Sequence, residues 1–373
     1  MTKNANKAVA LLFTLFLAGM LLLNLVTPDR EFSDSENRYL QTLPAFSPRA
    51  LFRGEFTQKT ENYCADQFVW RDTWISLKAR LELLQGKKEN NGVFLCADER
   101  LIEPLNAPEQ AALDRQIASV NTLAENAGIP VTLGLIPTSA ELYAEFLPAG
   151  VENASQRELI EYIYANSSAE TADILSVLAS HADEYVFYRT DHHWTSLGAY
   201  YGYCALSTPL QLDAVDFDSF TIRTVTEDFS GTAYSSSGFF WVGPDSMQTF
   251  VDAPVGLSVE RYEADTPESG TLYAPEMLST KDKYRFYLGG NIPRCVIRTG
   301  NESLPSLLLL RDSYADSLSP FLLEHYSDIH LIDLRYYRGS VSDYIRDNGI
   351  DTVLVLYSLD SFCTDSSLAL MTR

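Results

Sequence analysis

The sequence carries little basic charge for its size. Its 373 residues include 28 Lys and Arg against 50 Asp and Glu, for a formal net charge of −22. Sequence-independent binding to nucleic acid needs a basic surface that displaces counterions from phosphates, and electrostatic docking on anionic lipid needs a polybasic patch. The charge balance therefore excludes nucleic acid as a partner and argues against a polybasic lipid-binding surface.

Cysteine and histidine are also sparse. The five cysteines form no C-x-x-C pair, and a chain of this size favours isolated thiols over a disulfide framework. Only five histidines are present, and two of them are adjacent. Zinc-ligand spacing is absent, so the sequence predicts neither a metal nor a cofactor. By contrast, 46% hydrophobic and 12% aromatic residues are enough to bury a large core.

One long apolar run is present, at the N-terminus. Ala8–Val26 holds 19 residues without a charge, which at about 1.5 Å per residue is long enough to cross a bilayer core as a helix. Lys3 and Lys7 precede it and acidic residues follow, so the positive-inside rule places the rest of the chain outside the cytoplasm. We expect a single-pass cell-membrane anchor with an extracytoplasmic C-terminal domain.

The alternative is a cleaved signal peptide, which would make the protein secreted. The run is longer than a usual signal-peptide core, and the residues after it offer no small-x-small cleavage site, so the uncleaved anchor is favoured. Since the first 28 residues carry a charge of +2, the exported part carries −24. That charge makes a strongly anionic glycan a less suitable ligand than a neutral or amino-bearing one.

Composition and periodicity divide the chain into five segments. After the anchor, residues 29–90 form a polar linker and a helical stretch in which Phe68, Trp74, Leu77, Leu81 and Leu84 share a face. Residues 91–212 and 301–373 alternate strands with helices. Residues 213–300 are rich in Ser, Thr, Gly, Asp and aromatics and read as a β-rich insertion; Phe239, Phe240 and Trp241 within it are predicted to pack in the core rather than stack on sugars.

The alternation predicts an α/β fold with a mostly parallel sheet covered on both faces. The predicted strands are Val93–Leu95, Val131–Ile136, Glu184–Tyr188, Leu307–Leu310, Ile329–Leu334 and Thr352–Leu356. Helices are predicted around Leu113–Ala124, after a capping box at Ser155, over Ala172–His181, from Thr195 to Leu206, and over Asp316–Glu324 and Val341–Asn348.

A cluster of polar residues follows the strand predicted at Glu184–Tyr188. In extended backbone Asp191 and His193 project from the same side, about 6.6 Å apart at roughly 3.3 Å per residue, while His192 points the other way. A carboxylate so placed can orient the imidazole and leave its second nitrogen free as a base. The alternative is a structural cluster in which both imidazoles satisfy nearby backbone groups.

A serine follows a second predicted strand. Ser313 lies between the run Leu307–Leu310 and a helix, where backbone N–H groups can stabilise an oxyanion. A nucleophile needs this strand–turn–helix context, although the ordinary role of a serine there is to cap the helix. In a parallel sheet both segments reach the carboxyl edge, so together they predict an acyl-transfer or ester-cleaving site.

The residues that follow identify a resemblance to a known family. The tetrad Asp191–Trp194, the block Arg311–Tyr314, the segment Ser35–Leu40 and the stretch Ile136–Ser139 occur in the order typical of the DHHW family of bacterial exported proteins. That family is related to the alginate O-acetylation proteins with an SGNH-hydrolase-like domain. The resemblance implies a flavodoxin-like three-layer α/β fold, circularly permuted relative to ordinary SGNH esterases because the serine comes last.

The resemblance also implies a function and a set of site residues. It implies a polysaccharide O-acetyltransferase or acetylesterase with a Ser313–His193–Asp191 triad, to which a membrane-bound O-acyltransferase supplies the acetyl group. Oxyanion-hole candidates are the N–H of Ser313 and the side chain of Thr138. Candidates for substrate binding are His192, Trp194, Tyr314 and Arg311.

Three departures from the family pattern leave other functions open. Arg311 replaces the usual glycine, Ser139 stands where a lysine is expected, and Tyr357–Asp360 replaces a Gly-x-Asn-Asp block. A catalytically inactive envelope scaffold or glycan-binding protein is therefore an alternative. Metal-dependent phosphoester hydrolysis, suggested by Asp-His-His, is disfavoured because too few further histidines are available to hold two metals.

Overall fold

A computed structural model describes residues 3–373, so the first two residues of the predicted anchor segment lie outside the described part. The chain contacts divide it into two units. The first comprises the residues up to Asn90 together with Tyr234–Trp241, and the second comprises Asn91–Ala233 and Val242–Arg373.

Thirteen α-helices are assigned in residues 3–373. They are α1 (Lys3–Val26), α2 (Pro48–Phe52), α3 (Glu55–Asp66), α4 (Arg71–Leu84), α5 (Gln110–Asn126), α6 (Ser139–Leu142), α7 (Gln156–Ala165), α8 (Ile174–Ser180), α9 (Ser196–Ser207), α10 (Thr232–Ser237), α11 (Tyr314–Leu318), α12 (Val341–Asn348) and α13 (Leu359–Thr364).

Fifteen strands are assigned in the same residues. They are β1 (Phe32–Ser33), β2 (Arg38–Tyr39), β3 (Glu89–Asn90), β4 (Val93–Leu95), β5 (Leu101–Ile102), β6 (Val131–Ile136), β7 (Glu170–Ala172), β8 (Arg223–Phe229), β9 (Asp245–Thr249), β10 (Ser258–Tyr262), β11 (Glu268–Gly270), β12 (Arg294–Arg298), β13 (Leu307–Arg311), β14 (Asp328–Ile332) and β15 (Thr352–Ser358).

The first unit contains an apolar helix and a small helical module. Ala5–Val26 of α1 is apolar and long enough to span a membrane, as the N-terminal run predicts. In the module, Asp66 is buried and accepts hydrogen bonds from both terminal nitrogens of Arg38, at 3.0 and 2.6 Å, and from the N–H of Gln41. The Ser35–Leu40 segment therefore has a structural role: its arginine is held by a buried carboxylate.

An eight-stranded sheet organises the second unit, in the order β11-β10-β12-β14-β13-β15-β6-β7. The five strands from β14 to β7 are parallel, and β12, β10 and β11 extend the sheet in antiparallel pairing. The parallel part confirms the predicted α/β sheet. Because parallel strands present their carboxyl ends at one edge, the residues after β6, β13, β14 and β15 meet there.

Alternate residues of the central strands supply two cores. Leu307 and Leu309 of β13 pack in one apolar cluster with residues of α8 and α9, while Leu308 and Leu310 pack in a second cluster with residues of α5 and α12. All four leucines are fully buried. A strand with two buried faces needs a continuous apolar run, which is why Leu307–Leu310 could be recognised in the sequence.

Several predicted elements differ from the observed ones. The helical stretch before residue 90 is two helices, because Trp70 adopts a left-handed conformation with φ 57° between α3 and α4. The helix predicted over Asp316–Glu324 is shortened: α11 ends at Leu318, and a 3₁₀ turn containing Pro320 follows. In residues 213–300, β8 pairs with β9, whereas β10, β11 and β12 belong to the main sheet.

Candidate active site

The segment Asp191–Trp194 lies in a closed loop rather than after a strand. Phe187 and Trp194 form an isolated antiparallel bridge, and the N–H of Tyr188 donates to the carbonyl of His193 at 3.2 Å. The strand predicted over Glu184–Tyr188 is therefore wrong. The extended geometry assumed for Asp191 and His193 is also wrong, although the two side chains do meet.

An Asx turn brings the two side chains together. Oδ1 of Asp191 accepts the backbone N–H of His193 at 2.9 Å and also lies 2.5 Å from Nδ1 of the same residue. Carboxylates favour such local turns because their oxygens reach the backbone two residues on. The turn fixes the imidazole orientation with Nδ1–H donating to Asp191, and this leaves Nε2 as an acceptor.

Asp191 is held as an anion by its surroundings. It is 2% exposed, and its second oxygen accepts hydrogen bonds from the N–H of Thr232 at 2.8 Å and from that residue's hydroxyl at 3.1 Å. Burial works against the charged form, but the neighbouring histidines and these hydrogen bonds outweigh it and hold the pKa of Asp191 far below its usual value.

His193 is enclosed between two rings. Tyr284 stacks on it with ring centres 3.8 Å apart and planes 9° apart, and His192 covers it at 3.9 Å. An extended backbone would direct His192 away from His193, and the observed loop corrects that expectation. Burial, assisted by the charge of His192, lowers the pKa of His193 to about 4. The imidazole is therefore neutral at pH 7, the form that accepts a proton.

Ser313 completes a chain of hydrogen bonds. Its Oγ lies 2.7 Å from Nε2 of His193. Ser313 occupies the N-cap position of α11, but its side chain makes no capping hydrogen bond. Asp312 takes that role instead, accepting the N–H of Tyr314 at 3.1 Å and the N–H of Ser358 at 2.8 Å. The alternative role for Ser313, a helix cap, is therefore not the one observed.

Ser313, the last group of this hydrogen-bond chain, lines a cavity of about 330 Å³. It lies where the carboxyl ends of β6, β13 and β15 meet, and it is rich in hydroxyl and charged side chains. Its lining includes Glu103, Thr138, Ser139, His192, Asp312, Ser313, Tyr314, Arg335, Ser358, Asp360 and Ser361. A hydroxyl-rich pocket of this size suits a polar ligand.

Thr138 is fixed by a glutamine from the start of α7. Its N–H donates to Oε1 of Gln156 at 2.8 Å, and its hydroxyl oxygen accepts from Nε2 of the same side chain at 2.6 Å. Because the threonine oxygen already accepts a hydrogen bond, its own proton is directed elsewhere. Both Thr138 and Ser313 line the cavity.

Two of the four substrate-binding candidates line the cavity and two do not. His192 is partly exposed there, and Tyr314 lines the wall with its hydroxyl donating to the carbonyl of His192. Trp194 is fully buried, and its indole N–H donates to the carbonyl of Tyr314 and to Oγ of Ser317. The substrate-binding prediction for Trp194 is wrong, because the ring supports the loop from beneath.

The same correction applies to Arg311. Its guanidinium is 1% exposed, lies 3.1 Å from Asp316 and donates to the side-chain oxygen of Asn291 at 2.9 Å. Asp333 lies 4.0 Å away and also pairs with Arg335, which reaches the cavity. Arg311, in place of the family's usual glycine, therefore neutralises buried carboxylates beneath the nucleophile turn instead of touching substrate.

Several residues at the site were not predicted from the sequence. Tyr284 stacks on the imidazole, Thr232 holds Asp191, Gln156 holds Thr138, and Arg335 and Asp360 line the cavity. Apart from Asp360, which ends the Tyr357–Asp360 block, they belong to no motif, and tertiary packing brings them to the site. The signal nearest to one of them is Gly231: a Cβ there would overlap the Asp191 carboxylate, so this close approach requires glycine.

Asp191, His192 and His193 also offer ligand atoms within 4.8 Å of one another. Both oxygens of Asp191 and both ring nitrogens of His193 are already engaged in hydrogen bonds. A metal ion would have to break the contact between His193 and Ser313 or that between His193 and Asp191. The arrangement fits a proton relay better than a metal centre.

The fold and this arrangement define an α/β protein in which a serine, a histidine and an aspartate are linked by hydrogen bonds at the carboxyl edge of a mostly parallel sheet. Residues 109–332 match the sequence profile of the DHHW protein family. The match covers more than half of the chain, and the chain belongs to the DHHW family.

Two solved structures share the fold. A DHHW family protein from Eubacterium siraeum has a similar structure, with a TM-score of 0.67 at 23% identity over 76% of this chain and 96% of that one. PatB1 of Bacillus cereus, solved with a sulfonyl adduct, gives a TM-score of 0.63 at 17% identity over 74% of this chain and 97% of that one.

A curated relative carries a functional name. The chain is 26% identical over 174 residues to a probable alginate O-acetylase, AlgJ, of Pseudomonas syringae, which is 43% of this chain. The match spans only 44% of that protein's length.

Proposed function

We propose that this protein is a serine-dependent acyl-transfer enzyme, an O-acetyltransferase or acetylesterase acting on a polysaccharide outside the cytoplasm. The observation that carries the proposal is the hydrogen-bond chain from Ser313 through His193 to Asp191, with contacts of 2.7 and 2.5 Å. A nucleophile, a neutral base and a buried orienting carboxylate in this order form the constellation that acyl transfer uses.

The first half of the proposed reaction acylates the serine. Oγ of Ser313 attacks the carbonyl carbon of an acetyl ester while Nε2 of His193 takes the hydroxyl proton. Asp191 stabilises the imidazolium that forms. The carbonyl oxygen becomes an oxyanion, and we assign its stabilisation to the N–H of Ser313 and the hydroxyl of Thr138. The ester bond then breaks, the leaving alkoxide takes the proton from His193, and acetyl-Ser313 remains.

The second half transfers the acetyl group. An acceptor hydroxyl gives its proton to Nε2 of His193 and attacks the carbonyl carbon of acetyl-Ser313. The second tetrahedral intermediate collapses, and Ser313 leaves with the proton that His193 returns. A sugar hydroxyl as acceptor makes the enzyme a transferase, and water makes it an esterase, so the two outcomes share every catalytic group.

The relatives and the cavity together support a glycan as the substrate. AlgJ, named a probable alginate O-acetylase, supports a polysaccharide as acceptor. Here Arg335 is the only lysine or arginine among the lining side chains and is paired with Asp333, while Glu103 and Asp360 contribute carboxylates. The cavity thus has no excess of positive charge, which supports a neutral or amino-bearing glycan.

The anchor and the fold complete the proposal. We propose that α1 spans the cell membrane with the rest of the chain extracytoplasmic, and that a membrane-bound O-acyltransferase supplies the acetyl group. We further propose that the second unit is a permuted SGNH-hydrolase-like domain. The histidine loop precedes the serine strand in the chain, which supports this interpretation.

The test is turnover of p-nitrophenyl acetate by the detergent-solubilised full chain. We expect p-nitrophenol release that falls by at least about 10³-fold in Ser313→Ala, because removal of a triad nucleophile costs at least this much. Ser361→Ala, which removes another hydroxyl from the same cavity, is the matched control and should retain activity. Equal turnover by wild type and Ser313→Ala would refute the proposal and favour a scaffold, whereas loss of activity with a chelator would favour metal chemistry.

A further inference from the structure

The α4 helix carries apolar side chains on two sides, and only one of these sides packs on the protein. Ala79 is fully buried, and Ile75 and Leu83 on the same side are partly buried. On the opposite side a row of large apolar side chains is exposed to between 37% and 83%: Trp74, Leu77, Leu81 and Leu84. We call this row the α4 stripe. A helix packed on a soluble protein ordinarily directs such a row inward.

Basic residues border the α4 stripe. Lys78 lies on one side of the row and Arg80 on the other, and both are exposed. An apolar face flanked by Lys or Arg is typical of helices that lie in the interface of a membrane. The α4 stripe therefore matches a membrane surface, where an apolar hydrocarbon layer lies beneath anionic or zwitterionic headgroups.

The loop before α4 is apolar and exposed as well. Phe68 is 40% exposed and Trp70 59% exposed, whereas Val69 between them is buried. The N–H of Val69 donates to the side-chain oxygen of Asn24 in α1 at 2.9 Å. Met20, one turn earlier on the same face of α1, is also buried, although most of α1 is open.

The contact with α1 fixes the depth of this loop. The apolar span of α1 ends at Val26. Asn24 lies two residues before that end, about 3 Å along the axis at roughly 1.5 Å per residue. When α1 spans a bilayer, Val69 is therefore held at the edge of the hydrocarbon layer. Phe68 and Trp70 then lie in the zone where aromatic side chains are enriched in membrane proteins.

A hydrogen bond links the α4 stripe to the loop segment that contacts α1. The indole N–H of Trp74 donates to the carbonyl of Val69 at 3.1 Å. The first member of the stripe is thus tied to the backbone that contacts Asn24. Leu77, Leu81 and Leu84 continue the row from there at helical spacing.

We propose that Phe68, Trp70 and the α4 stripe insert into the bilayer leaflet at the C-terminal end of α1, so that α4 lies along the membrane surface. The proposal rests on α1 spanning the membrane and not on the enzymatic activity. Burial of apolar surface drives the insertion, which is why the strongly acidic composition does not prevent it. Lipid covers this face in preference to a partner protein, since α1 already places the loop at the bilayer edge.

The test is quenching of tryptophan fluorescence by lipids brominated on their acyl chains. The full chain is placed in nanodiscs that hold one copy each, and its emission is compared with that of Trp70→Phe/Trp74→Phe in discs of brominated and ordinary lipid. We expect bromine to quench a component of the emission that the double variant lacks. The same degree of quenching in both proteins would overturn the proposal.

A second pair of variants tests whether the whole helix lies on the membrane. In the Trp70→Phe/Trp74→Phe background, Leu84→Trp should restore quenching by brominated lipid. Val255→Trp, at a fully exposed apolar position of the second unit, is the matched control and should not. An unquenched tryptophan at position 84, or equal quenching at both positions, would overturn the proposal. If the tryptophan at position 84 escapes quenching only in discs that hold two copies, a second chain covers the α4 stripe, and this result would also overturn the proposal.

Discussion

Nε2 of His193 lies 2.7 Å from Oγ of Ser313, although 120 residues separate them in the chain. The loop that carries His193 is held by Asp191 and Trp194, and the turn that carries Ser313 is held by Asp312. Direct hydrogen bonds also join the two segments: the indole N–H of Trp194 donates to the carbonyl of Tyr314, and the hydroxyl of Tyr314 donates to the carbonyl of His192.

Asp191→Asn tests the orienting role of the carboxylate. The amide keeps the shape of the side chain but loses the negative charge that stabilises the imidazolium and fixes its tautomer. We expect ester turnover to fall by up to about 10⁴-fold with little change in the fold. Asp282→Asn, which removes a nearby carboxylate without a hydrogen bond to His193, is the control and should reduce kcat only slightly. Similar losses in both variants would contradict a specific role for Asp191.

The pH dependence of the reaction follows from the lowered pKa of His193. The imidazole accepts a proton only when neutral, so activity should be full at neutral pH and fall as pH drops through about 4, not through the usual 6.5. Since the charge of His192 lowers the pKa of His193, His192→Gln should shift this acidic limb to higher pH. A pH profile of kcat/KM measures both effects. A wild-type limb near 6.5, or no shift in the variant, would contradict the electrostatic account.

Gly231→Ala tests the close approach of the backbone to Asp191. A Cβ at this position would overlap the Asp191 carboxylate, so the carboxylate must move away from Thr232 and His193. We expect a lower kcat with a smaller change in KM, because substrate does not contact this glycine. Gly243→Ala is the matched control, since its Cβ would meet only an ordinary contact at 3.6 Å. Equal kinetics for the two variants would show that the site adapts.

Arg311→Met tests the buried ion pair beneath the nucleophile. Asp316 would lose its buried cation, whereas Asp333 keeps Arg335, and burial already raises the pKa of Asp316 despite the arginine. We expect a loss of about 3–5 kcal/mol in the free energy of unfolding at pH 7. Adding Asp316→Leu should recover part of that loss, because an apolar pair replaces an unpaired charge. Chemical denaturation measures both, and a double variant no more stable than Arg311→Met would contradict the pairing.

The sequence predicted the central sheet well because its strands are short apolar runs buried on both faces. Val131–Ile136 has the predicted bounds, and each of β13, β14 and β15 begins and ends within two residues of its own predicted bounds. Val341–Asn348 was also located, since Ser340 caps it and Gly349 ends it in a left-handed conformation. The strand predicted over Glu184–Tyr188 is wrong, because this segment has the composition of a strand but its aromatic residues pack in a loop.

The candidate triad followed from residue types and chain order, whereas its surroundings did not. Asp191 and His193 meet through an Asx turn, a geometry that the sequence allowed but did not distinguish from an extended strand. Their positions within motifs predict that Trp194 and Arg311 bind substrate, whereas the structure buries both. In the structure Trp194 contacts Ser317 and Arg311 contacts Asp316, and no sequence pattern links these pairs.

A serine-directed fluorophosphonate probe, followed by peptide mass spectrometry, tests the central claim most directly. The full chain in detergent is labelled at neutral pH beside Ser313→Ala and Ser361→Ala. We predict an adduct on Ser313 in the wild type and in Ser361→Ala, and none in Ser313→Ala. An unlabelled wild type that retains acetyl-ester turnover, or an adduct that persists in Ser313→Ala, would contradict it.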